Sequence, residues 1–121
     1  MENKYEEING TWGILELEND NKYLVGRANS RLDNIIFITT KHNRIFIKME
    51  GNEEIKGSFK INRNEFKDSI SIYNATNPVF NREYELILDT VFENVLSTHT
   101  ELLLMSKKIK IRSQRIEIKP H

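Results

Sequence analysis

Cysteine is missing from the 121 residues, which excludes disulfides and thiolate metal ligands at the outset. Proline occurs only at Pro78 and Pro120, and glycine only five times, so no flexible or polyproline linker divides the chain. A net charge is lacking too. The 18 basic and 18 acidic residues cancel, so no long-range attraction to nucleic acid or to an anionic membrane is built into the chain as a whole. No apolar run approaches the ~20 residues of a membrane-spanning helix. Residues 1–7 hold no apolar stretch of the kind a secretory leader needs. As given, the chain therefore reads as cytoplasmic, or as periplasmic or lipid-anchored if a leader has been trimmed.

What is present is a composition of 38% apolar and 30% charged residues, enough to build one core over a single domain, residues 1–121. The dominant pattern is short β-type segments separated by Asn, Asp, Gly and Lys. The first strand is expected over residues 11–18. There the apolar parity switches between Trp12 and Ile14 on one side and Leu15 and Leu17 on the other, which a bulge near Gly13 would reconcile. A second strand is expected at 23–26, then a polar loop at 28–33 and a strand at 35–40. Ile45, Ile47 and Met49 share one face of a segment at 44–50. Ile55, Gly57, Phe59 and Ile61 alternate with Lys56, Ser58 and Lys60, the clearest half-buried strand in the chain. Ile70 and Ile72 follow, and residues 74–82 form the longest irregular link. Tyr84, Leu86 and Leu88 then share an inward parity. Residues 91–96 fit either a helical turn or a strand extension. Strands at 101–105 and 108–118 close the chain.

About eight strands with short links pair naturally as antiparallel neighbours, and their edges must be hidden. The expected fold is all-β, a single antiparallel up-and-down barrel. The lone Trp, in Gly10-Thr11-Trp12-Gly13, is expected to plug one end of it. A Gly-x-Trp in the first strand together with an Arg late in the last strand resembles the calycin pattern of lipocalins and fatty-acid-binding proteins. The resemblance spans nearly the whole chain. It implies that the first and last strands meet, with Arg115, or alternatively Arg112, stacked across Trp12. The chain departs from the pattern in one respect that bears on ligands. Fatty-acid-binding proteins carry Arg-x-Tyr in the last strand, where this sequence has Arg115-Ile116-Glu117.

A barrel of this size holds either packed side chains or one small ligand. The leading expectation is a non-catalytic protein binding a small apolar or amphipathic molecule. Its cavity would be lined by Phe37, Phe59, Ile72, Tyr84 and Leu86, with Tyr84 as the polar handle. The alternative is a filled barrel acting as a protein-interaction module, of the inhibitor or immunity type, gripping through Pro78, Val79 and Phe80 on the long link. No catalytic residues, metal ligands or cofactor are expected. His42, His99 and His121 are isolated, with His99 in a hydroxyl-rich loop, and no nucleophile or phosphate-binding motif is present. Lys107, Lys108, Lys110, Arg112, Arg115 and Lys119 crowd the last strand, and with Phe37, Phe46 and Tyr73 they suggest an oligonucleotide-binding barrel. Lys110 and Arg112 alternate with Ile109 and Ile111 as a solvated face does, so nucleic acid is not an expected partner.

Overall fold

The computed structural model describes residues 8–20, 22–25, 34–38, 42–49, 53–94 and 97–116. The strands are β1 (Gly10–Asn19), β2 (Lys22–Val25), β3 (Asn34–Ile38), β4 (Arg44–Lys48), β5 (Ile55–Asn62), β6 (Asp68–Tyr73), β7 (Arg82–Asn94), β8 (Ser97–Met105) and β9 (Ile109–Arg115). All pairings are antiparallel, each strand from β3 to β8 bonds to the next, and β9 returns to β1. β2 and β3 occupy one edge of β1, opposite Leu17–Asn19 and Gly10–Gly13 respectively, while β9 takes the other edge. They are two halves of one stave, so the sheet closes as an eight-stranded barrel. The expected polar loop at 28–33, between them, lies outside the described residues. Among the described residues no helix is long and apolar enough to cross a membrane.

Alternation sends the apolar residues inward. In β5, Ile55, Phe59 and Ile61 are buried while Lys56, Lys60 and Asn62 are exposed. Ile45 and Ile47, Ile70 and Ile72, Leu102 and Leu104, and Ile109 and Ile111 repeat the pattern around the ring. The bulge in β1 falls later than expected. Ile14 pairs with Ser113 and Glu16 with Arg112, so Leu15 is the extra residue. Gly13 stays in the regular ladder, and its missing side chain admits Ile116, which a Cβ would meet at 3.2 Å.

One further expectation is corrected, and one open choice is decided as far as Asn94, residues 95 and 96 lying outside the described residues. Leu88 has the inward parity of Tyr84 and Leu86 but is 37% exposed, because β6 stops pairing with β7 at Asp68–Leu86 and leaves no neighbour beyond. Residues 91–94 extend the β7 strand, since Val91, Phe92 and Asn94 pair with His99, Thr98 and Ser97. The partner strand decides what the local pattern left open, and it places His99 in β8 and not in a loop.

The ends of the barrel are closed differently. At the start of β1, Trp12 is fully buried and its indole Nε1 donates to the Ile8 carbonyl at 2.8 Å. Gly10, at φ 122°, makes the turn that folds Ile8 back beside the ring. Arg115 pairs directly with Trp12 across the β1–β9 seam. Its guanidinium carbon lies 4.3 Å from the ring centroid and Nη1 donates to the Asn9 carbonyl at 3.1 Å. Arg115, and not Arg112, is thus the stacking residue.

At the opposite end, residues 74–81 fold into the barrel. The Thr76 N–H donates to the Lys56 carbonyl at 2.8 Å, and the Lys56 N–H donates to Thr76 Oγ1 at 3.0 Å. Asn81 Oδ1 accepts from the Ala75 N–H, and Asn77 Oδ1 caps the 3-10 turn Pro78–Phe80. Ala75 sits over Gly57, where a Cβ would meet its Cα at 3.2 Å. Phe80 is only 2% exposed and Val79 is half-buried against the core, leaving Pro78 alone on the surface. The expected gripping surface of Pro78, Val79 and Phe80 is therefore a plug, because these hydrogen bonds turn the link inward.

Trp12→Ala is expected to lower unfolding free energy by about 3–5 kcal/mol in urea titrations. A double-mutant cycle with Arg115→Ala should return a coupling of about 0.5–2 kcal/mol. A change near zero for Trp12→Ala would mean that the indole does not seal the seam.

Candidate functional site

The barrel brings all five expected lining residues together in its interior. Phe37 and Phe59 meet edge to face, with centroids 5.3 Å apart and planes at 89°. Ile72, Tyr84 and Leu86 belong to the same buried cluster. The Tyr84 hydroxyl donates to the Phe80 carbonyl at 2.9 Å. Burial pushes its pKa well above the ordinary phenol range, against a smaller opposing pull from Arg82. The proton of the expected polar handle is committed to holding the plug, so toward a ligand the oxygen acts as an acceptor only.

Of the five, Leu86 borders an open cleft of about 350 Å³, and Phe59 borders a separate groove on the outer face. The cleft lies at the Trp12 end, where Ile8, Ile61 and Leu86 form an apolar floor flanked by Phe66 and Leu88. Arg63, Lys67, Asp68 and Glu85 supply its polar rim. The hairpin tip between β5 and β6 builds one wall. Asn64 Oδ1 accepts from the Phe66 N–H at 3.2 Å in an Asx turn, and Arg63 pairs with Asp68 at 3.5 Å. That tip presents Phe66 at 90% exposure. The volume is at the lower end of the ~300–1,000 Å³ typical of small-molecule sites. Sequence reasoning placed Ile61 in the core but missed Ile8 and Phe66. The available signal was a phenylalanine within the polar turn 62–68.

A second constellation crosses the outside of the seam. Arg112 donates to Glu16 Oε1 at 3.0 Å and to Glu101 Oε2 at 3.2 Å, and His99 Nε2 lies 2.8 Å from Glu101 Oε2. These residues tie β8, β9 and β1 together. Glu101 is 8% exposed, although it lies on the outer face. Burial raises its pKa, but the hydrogen bonds and charges of His99 and Arg112 outweigh that and hold the carboxyl below its ordinary value. An ionised acid saturated by an Arg and a His has no proton to give at neutral pH. The arrangement braces the seam. Underneath, buried Ser113 donates to the Leu102 carbonyl at 3.0 Å.

Glu101→Gln is expected to cost roughly 1–3 kcal/mol at pH 7. Because the folded-state pKa is depressed, the carboxylate's contribution is fully present above the ordinary value of ~4.3 and is lost as pH falls below it. Urea midpoints measured from pH 7 to pH 2.5 should therefore fall less steeply in Glu101→Gln than in the parent. Parallel pH profiles would exclude the brace.

No protein-family model, no curated protein and no solved structure matches the chain.

Proposed function

We propose that this is a lipocalin-like barrel that binds one small amphipathic molecule, without catalysing a reaction, through the cleft at the Trp12 end. The observation that carries the reading is that cleft, about 350 Å³ with core side chains for its floor. An apolar moiety would lie on Ile8, Ile61 and Leu86, between Leu88 and Phe66. A polar end would meet the mixed rim of Arg63, Lys67, Asp68 and Glu85. The Trp12–Arg115 closure supports the lipocalin-like part of the reading, since it is the contact that the Gly-x-Trp and late Arg imply. Phe37, Phe59, Ile72 and Tyr84 form the packed layer behind Leu86, and deeper entry would have to part the Phe37–Phe59 contact.

One observation favours a second reading. Phe66 stands almost fully exposed on a hairpin tip fixed by the Asx turn and an ion pair, as an anchor for a protein partner would. In an interaction module of the inhibitor or immunity type, Phe66 and Leu88 would take the role expected of Val79 and Phe80.

Titration with an environment-sensitive apolar dye, with native mass spectra of the protein purified from cells, separates the two. Saturable binding of one dye per chain is expected, abolished by Leu86→Trp and weakened at least tenfold by Leu88→Glu. Leu88 is partly exposed, so its variant keeps the test valid if Leu86→Trp unfolds the barrel. Absence of both dye binding and any co-purified molecule would overturn the binder.

A further inference from the structure

The outer face of β4, β5 and β6 differs in charge from the rest of the barrel. Arg44, Ser58 and Tyr73 are direct cross-strand neighbours in one row. Lys60, beside Ser71, lies one outward position along β5, and Lys56, beside Phe46, lies one position the other way. Arg44, Ser58, Lys60 and Tyr73 border an open groove of about 430 Å³. Arg44, Lys56 and Lys60 are exposed, and Tyr73 is 46% exposed. Among the described residues none of these three cations has an ion-pair partner, whereas Arg63, Lys108 and Arg112 all do. The facing positions on β6 are Ser69, Ser71 and Tyr73; acids flank the face at Glu54, two residues before Lys56, and on β7, where Glu83 and Glu85 lie opposite Ser71 and Ser69.

We propose that this face binds single-stranded nucleic acid. The sheet spacings place Arg44 and Lys60 within roughly 10 Å of Tyr73 along the backbone, within reach of the phosphates flanking a base stacked on its ring. Ser58 and Ser71 offer hydroxyls between them. A duplex hides its base faces from such a ring, and an acidic polypeptide would use the cations but not the ring. The basic strip on the last strand keeps two exposed lysines, Lys107 and Lys110, but among the described residues no exposed aromatic ring lies beside them. There Arg112 lies between two carboxylates, Lys108 pairs with Asp20, and Arg115 covers Trp12. The site is independent of the cleft, which opens at the end of the barrel.

Fluorescence anisotropy with a labelled twelve-nucleotide oligothymidylate tests the proposal on the full chain. Saturable binding is expected, weakening with salt at a log–log slope of about −2 for three neutralised phosphates. Lys56→Glu with Lys60→Glu should weaken it at least tenfold, and Tyr73→Ala about tenfold. Lys107→Glu with Lys110→Glu should change it less than twofold. The substituted residues are exposed, so melting temperature and dye binding at the cleft should hold in every variant. Three results would each overturn the proposal: no saturable binding, tighter binding of a duplex of equal length, or polyglutamate competing equally while Tyr73→Ala has no effect. The last would identify an acidic protein partner.

Discussion

An eight-stave sheet that failed to close would expose two rows of unpaired backbone groups, and the structure depends on joining them. The join is the β1–β9 ladder, and it is secured at three heights. At one end Arg115 covers the buried indole of Trp12. Midway, Arg112 spans from Glu16 to Glu101 on the outside. At the far end the Asp20 N–H donates to the Lys108 carbonyl at 2.9 Å, with the Lys108–Asp20 ion pair beside it. The indole buries the largest single apolar side chain along the seam, with Leu17 and Ile111 paired and buried farther up. The ion pairs are partly exposed and set register more than they add stability.

Closing the seam makes a tube, and the two ends of the tube then diverge. The end served by residues 74–81 is filled from within: Ala75 rests on Gly57, Phe80 enters the core, and Tyr84 bonds to the Phe80 carbonyl. Every polar group used there has a partner within the link or on β5 or β7, so opening that end would break several contacts together. At the Trp12 end, β6 stops short of Leu88, and the β5–β6 tip stands off with Phe66 in water. The core therefore meets the cleft at this end, through Ile8, Ile61 and Leu86.

Much of this was legible in the sequence, because the period-two pattern is strong and local. The parity of Ile45 and Ile47, of Phe59 and Ile61, and of Ile70 and Ile72 places these residues inside without any knowledge of their partners. The joining of the two ends was implied by the resemblance that Gly10, Trp12 and a late Arg carry, which left Arg112 open beside Arg115. The misplaced features are those set by a second segment. Leu15, and not Gly13, carries the bulge because β9 dictates where the ladder slips. Leu88 has the correct parity and pairs with Leu102, but has no neighbour on its other side, since strand length is a property of β6. Phe80 looked like an exposed loop residue because nothing local reveals that Asn81 and Thr76 fold their link inward.

Charge obeys the same logic with larger consequences. A formal charge of zero says nothing about where the charges lie, and the cross-strand register sorts them. Along the seam, register sets Arg112 beside Glu16, with Glu101 in reach, and the charges neutralise one another. Across β4 to β6 it sets Arg44 beside Ser58 and Lys60 beside Ser71, and the charges persist. A strand also separates its two faces. Lys60 lies between Phe59 and Ile61, yet its side chain meets solvent while theirs meet the core. Substitution at Lys60 therefore changes what the outer surface can attract and leaves the floor of the cleft, built by Ile61 on the same strand, as it was.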